Sequence, residues 1–531
     1  MCIYTAIREL GPRYLKHEVC WVPIGVLRSS IMKKVPGGFS TCLRMLLRQW
    51  MLEFRILDNG VLLDLGLPDF RYAVFHFKLG NILADGDAYR AAWSAKGASG
   101  NVPCLLCNNV VACRNLKSDL LVHFSCPDAS RFHSASNDDI WAKADLVKAS
   151  RGVKGVGSKA AFDRLQMVHG LTDSPSGLLW DLELRSTVKP VDVITFDAMH
   201  ITVSNGMCQN EVGWLLSVLK EHMITWRMVA DFCKAIDWKL CKSLGTKAKA
   251  NGCFGHAREE AWRSGSVFKS SASEMLLVLP LLMHFCDEVV RPRGICLPQL
   301  ASLEALLSVI GLIRRGKAGE LVHDELTATI RLHACRCLAA YSQDDMKPKN
   351  HYIQHLPGQL LRDGLIIDAF VGERKNGAIK KLAADIDNTK RFEKSAILNV
   401  FGQQICSLED QHIFEDKLER PVPFEELAAV NHARSALLSK CIVIGGTRLW
   451  TDDAVVIDKK VHVVTAGCEI DGKLFLITRC SECLGDVTSI SSRWKVTTEP
   501  SLADFCGKTP QMVEAWYYDT DGTLVALVTI R

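Results

Sequence analysis

Apolar and polar positions change rhythm several times along this chain, and the changes mark its parts. Residues 61–65 and 72–79 are strand-like, with Asp58-Asn59-Gly60 as a turn signal ahead of them. Asp85 follows the second of these runs, at a strand end where a side chain can face a cleft. Residues 87–96 keep a helical period that the stretch 97–100, with glycines at both ends, closes. Residues 101–190 are polar, rich in turn formers and dotted with Cys and His, so they read as an insertion. The apolar run 191–196 predicts a short buried strand that delivers Asp197 at its end. Helical periodicity then dominates from 207 to 345, including 211–219, 273–289 and 303–313, and reads as a second insertion. Residues 376–386 predict a helix with Glu373 near its first turn.

The texture changes again at about residue 440. Short β-type runs occupy 441–444, 454–457, 461–465, 473–478, 493–498 and 524–530, with Asp471-Gly472 and Asp521-Gly522 as hairpin turns. The pattern divides the chain at 1–100, 101–190, 191–235, 236–345, 346–438 and 439–531. The last of these is a small all-β domain.

Length supports this division, since 531 residues exceed one ordinary core. With 48% hydrophobic and 23% charged residues the composition is globular. The net charge of +5 is unevenly placed: residues 1–60 hold nine Lys/Arg against four Asp/Glu. Basic clusters follow at Lys148, Arg151, Lys154 and Lys159, at Lys239, Lys242, Lys247 and Lys249, and at Arg374, Lys375, Lys380 and Lys381. Each is either a solvated face or a track for a phosphate backbone. The 21 cysteines follow no secretory leader, which predicts reduced thiols inside the cell and makes close pairs metal candidates. The longest apolar stretch, 275–286, is too short to span a bilayer and predicts a buried helix.

Two groups of residues carry chemistry. Cys104-x-x-Cys107 precedes His123-x-x-Cys126, a spacing that fits a tetrahedral zinc site in a poorly cored insertion. Cys113 or His133 could replace one ligand. Further on, His351 and His355 stand four apart between Pro348 and Pro357, on one side of a short predicted helix. No Glu follows the first His, so the hydrolytic zinc motif is absent, and a structural or DNA-facing role is the favoured reading. Asp85, Asp87, Asp197, His200 and Glu373 are each ordinary alone, as helix caps or surface charges. Spread over separate elements, such acids can clamp divalent ions over a phosphate.

Taken in order, these segments resemble the cut-and-paste DNA transposases of the CACTA (En/Spm) type. The resemblance rests on 83–88, 96–107, 196–200 with Ser204-Asn205-Gly206, and 347–374, and it covers roughly residues 20–390. It implies a ribonuclease-H-like mixed sheet interrupted by a zinc-type and a helical insertion, an α/β class overall. It also implies Mg²⁺ or Mn²⁺ at the carboxylates, structural Zn²⁺, transposon-end DNA as partner, nuclear location and no membrane. Self-association is compatible with it. By resemblance Asp85 is the second acid of a DDE triad and Glu373 the third, with Asp197 and His200 as an accessory element. A second alignment makes Asp85 the first acid and Asp197 the second. The family's first Asp lies upstream of the position matched by Asp85, where this chain has no Asp before Asp58, and its Asp-x-Pro-Ala is Asp85-Gly-Asp-Ala here. The expectation is therefore a transposase shortened at its N-terminus and inactivated by loss of that acid. The rival is a non-catalytic DNA-binding protein derived from one.

Overall fold

The computed structural model describes residues 2–66, 71–112, 120–151, 158–240, 252–265, 267–384, 386, 390–409, 414–431, 433–486, 491–505, 510–513 and 515–527. The fold is mixed α/β. The chain forms two compact units. One comprises Met1–Arg8, Trp21–Ile201 and Gln343–Gly402, the other Glu9–Cys20, Thr202–Ser342 and Gln403–Arg531.

At the centre of the first unit the strands Ile82–Ala84 and Ile194–Phe196 run in parallel, pairing Ile82 with Ile194 and Ala84 with Phe196. Asp85 therefore emerges from its own short strand, not from the 72–79 run, which stops at Phe75 and pairs with Val61–Asp64. Two side chains take the place of further sheet partners, and a third helps hold them. Arg362 donates to the carbonyls of Asp192 and Ile194 at 3.0 and 3.3 Å and to the Thr195 hydroxyl at 2.8 Å. Asn81 bridges Thr195 and the buried Asp363 carboxylate at 2.7 and 2.9 Å, and Arg8 pairs with that carboxylate at 2.8 Å. Buried strand polar groups are thus satisfied by side chains where a wider sheet would use backbone.

The continuous mixed sheet expected of a ribonuclease-H-like core is not seen among the described residues. Cys2–Thr5 with Val22–Val26, and Val61–Asp64 with Tyr72–Phe75, are separate antiparallel pairs. The polar region expected to be a loose insertion contains the helices Asn137–Ala149 and Lys159–His169, whose serine caps close their first turns. It also buries Cys104, Leu105, Ile140 and Leu171 almost completely.

The second unit joins a helical block to a β region. Ala272–Phe285 opens with a capping box between Ser271 and Glu274 and is buried nearly all round, as its unbroken apolar sequence predicts. Leu297–Lys317 is long and apolar enough to cross a membrane by length and composition. Here Leu300, Leu303, Leu306 and Leu307 are buried, and the helix packs on His323–Ala340. A curled antiparallel sheet follows, with Lys460–Ile470 and Lys473–Asp486 as its long hairpin. Asp471 and Gly472 both take positive φ, +47° and +82°, the turn that Asp-Gly favours. Strands begin at Lys417–Glu419, earlier than the change of texture near 440, and Lys239–Leu240 from the helical block adds an edge by pairing with Ala515 and Trp516. The β region and the helices therefore share one compact unit.

Candidate functional site

The register of the central strands decides the site. Because Ala84 faces Phe196, Asp85 and Asp197 leave adjacent parallel strands at the same end. Asp85 caps the helix Gly86–Trp93, accepting from Ala88 N at 2.6 Å through one carboxylate oxygen. Asp87, one turn in, is exposed and pairs with Arg90. Of the two, Asp85 is the acid that stands at the strand end.

Asp197 is buried. Its Oδ1 accepts from Met199 N and Ala369 N, both at 3.0 Å, and its Oδ2 bonds His200 Nδ1. Burial raises the Asp197 pKa, and the His200 bond opposes the rise. His200 is itself half-buried, which alone would lower its pKa. The Asp197 hydrogen bond and the charges of Asp197, Asp85 and Glu373 outweigh burial and raise it. Glu373 lies in the first turn of Phe370–Ala384, half exposed, with Oε1 3.9 Å from His200 Nε2. Asp197 and His200 line one small cleft together with Tyr89, Phe196, Lys349 and Tyr352, and Asp85 and Glu373 stand near enough to act on the His200 charge. Lys349 was not foreseen. Its ammonium donates to the His200 carbonyl at 2.7 Å, and its pKa falls by burial against the pull of Asp85 and Asp197.

Behind the cleft sits a second group. Cys104, Cys107, His351 and His355 bring one ligand atom each within 4.8 Å of the others, so the cluster can hold a metal ion. His355 Nε2 is 3.4 Å from Cys104 Sγ, 3.7 Å from Cys107 Sγ and 3.1 Å from His351 Nε2. A tetrahedral zinc with ordinary bond lengths would set S···N near ~3.6 Å and N···N near ~3.3 Å, so this donor set fits. The Cys104 thiol donates to Cys107, whose sulfur that bond, with those from the two histidines, holds far below the usual thiol range. Burial pushes Cys104 up. Burial also lowers the His351 pKa, leaving its imidazole neutral as a metal ligand must be.

This corrects half of the expected ligand set. Cys104 and Cys107 are in the cluster, but His123 and Cys126 are not. The His123 ring bonds Ser125 Oγ at 2.7 Å and Gln343 Nε2 at 3.0 Å, and the Cys126 thiol donates to the Asp128 carbonyl at 3.8 Å. Their H-x2-C spacing belongs to a local turn after the short parallel pair Val110–Val111 and Val122–His123. His351 and His355, one helical turn apart, replace them. His133 is exposed and outside the cluster, and Cys113 lies outside the described residues.

The two groups share a wall of aromatic rings. Phe196, the residue before Asp197, stacks on Tyr352 at 4.6 Å and 12° and touches Tyr89 and His355 at 5.3 Å. The Tyr352 hydroxyl donates to Pro103 O at 2.6 Å, next to Cys104. Among the basic clusters, Lys375 is buried and donates to Trp21 O, whereas Arg374, Lys380 and Lys381 are exposed. Lys154, Lys242, Lys247 and Lys249 lie outside the described residues.

No family model, no curated protein and no solved structure matches this chain.

Proposed function

We propose that the first unit is the core of a transposon-derived DDE-type transposase that, without the family's upstream acid, still acts on DNA phosphodiesters through Asp85, Glu373 and divalent metal. The observation that carries this reading is the pairing of Ala84 with Phe196, which sets Asp85 and Asp197 at one strand end, beside the His200 that Glu373 also approaches. Asp85 and Glu373 supply hard oxygen donors of the kind Mg²⁺ and Mn²⁺ take. Asp197 has its oxygens committed to two backbone N–H groups and His200, which fits the accessory role and not that of a metal ligand. It fixes the imidazole so that Nε2 faces the Glu373 side of the cleft.

A divalent ion held by Asp85 and Glu373 would activate the attacking water or 3′-hydroxyl and stabilise the leaving oxygen. The chain's own groups do the rest. His200, protonated over a wider pH range than an ordinary histidine, can donate to a phosphate oxygen. Lys349 adds a fixed positive charge beside it. Along Phe370–Ala384, Arg374 and Lys381 stand seven residues apart on one side of the helix and would carry the phosphate backbone away from Glu373. Zinc at Cys104, Cys107, His351 and His355 would hold the Tyr352 segment against Phe196 and so set the cleft wall.

The same commitments of Asp197, with Lys349 in the cleft, favour a second reading, a DNA-binding protein that no longer cuts. Nicking of supercoiled plasmid in Mn²⁺ separates the two. The transposase reading expects Mn²⁺-dependent nicking that Asp85→Asn and Glu373→Gln abolish. Salt-sensitive binding without nicking would leave the DNA-binding reading, and neither would end both.

A further inference from the structure

We infer that the helical block of the second unit holds a metal ion of its own, a zinc-class divalent cation bound by Glu211, His333 and Cys337. Glu211 comes from Met207–Glu221, and His333 and Cys337 sit one turn apart on His323–Ala340, so two helices offer three different donors. Their ligand atoms lie within 4.8 Å of one another, and each residue is 1% exposed.

A plain buried ion pair accounts for only part of this. Glu211 Oε2 lies 2.8 Å from His333 Nε2, but Glu211 Oε1 is buried with no hydrogen-bond partner among the described residues. Leaving a carboxylate oxygen unpaired inside a helical core is costly. The Tyr341 hydroxyl, one turn beyond Cys337, is likewise buried without a hydrogen-bond partner among the described residues, close enough to Glu211 and Cys337 to feel their charges. One carboxylate, one thiolate and one neutral imidazole around a divalent ion sum to zero charge, which is what a dry site tolerates. Sulfur and nitrogen donors select zinc-class ions over Mg²⁺ or Ca²⁺. The site belongs to a different unit from the Cys104 cluster and needs nothing from the proposed chemistry there.

The test loads the full chain with Co²⁺, counts bound metal and records the thiolate-to-cobalt absorption. Wild type should bind an equivalent that Cys337→Ser removes, the difference spectrum showing a single thiolate. Glu211→Gln, which keeps the shape and a hydrogen bond to His333, should lose the same equivalent. Unchanged cobalt content in both variants overturns the site. Should the variants fail to fold, a wild-type chain whose cobalt absorption is fully accounted for by a two-thiolate centre overturns it as well.

Discussion

His355 Nε2 lies 3.4 Å from Cys104 Sγ although 251 residues separate the two in sequence. This contact ties the polar region that follows the strand Ile82–Ala84 to the segment that leads into Glu373. It makes the Cys/His cluster a clasp within one unit, where a local zinc knuckle would join only residues of the insertion.

Removing the clasp should loosen that unit. His355→Ala is expected to lose about 3 kcal/mol, or roughly 6–12 °C of unfolding midpoint for a unit of this size. Chelation of wild type should reproduce the loss in the transition of the first unit, and chelation of the variant should lower that transition no further. Calorimetry with and without chelator reads both, and additive effects would show that the cluster holds no metal.

Asp197 should matter for structure as well as chemistry. Asp197→Ala strips acceptors from Met199 N, Ala369 N and His200 together, an expected loss of about 2–4 kcal/mol. Asp197→Asn should lower the His200 pKa, which is raised in wild type. A raised folded-state pKa stabilises below the unfolded histidine value and fades as pH rises through the folded one, so the variant should flatten that dependence. Histidine NMR titration checks it, and an unmoved His200 would contradict the pairing.

The second unit should weaken in acid through His284. Burial pushes this histidine down to about 4, with its Nδ1 unpartnered among the described residues and its ring edge-on to Trp238. The neutral form is the one that fits, so its contribution is present above the unfolded value near 6.5 and is lost as pH falls towards 4. The expected size is on the order of 3 kcal/mol. Denaturant midpoints between neutral pH and pH 4 should fall in wild type and fall less in His284→Phe.

Local signals were legible where one element sufficed. The run 191–196 delivered Asp197 at a strand end, although its first half folds as the turn Pro190–Val193. The helix after Phe370 put Glu373 in its first turn, and Asp471-Gly472 turned a hairpin. What failed needed long-range partners. His123 and Cys126 stand at the spacing a zinc knuckle uses, but spacing does not say whether Ser125 and Gln343 will occupy the ring first. His351 and His355 were visible as a helical pair, and only the fold joins them to Cys104 and Cys107. Lys349 and the Glu211–His333–Cys337 group had no sequence signal, because nothing local marks a lysine that meets a cleft or a glutamate that meets another helix.

Anomalous diffraction from crystals soaked in Mn²⁺ tests the metal site most directly. A peak is expected between Asp85 and Glu373, lost in Glu373→Gln while the fold is kept. A cleft without manganese at millimolar concentration, or a peak that survives in Glu373→Gln, would contradict it.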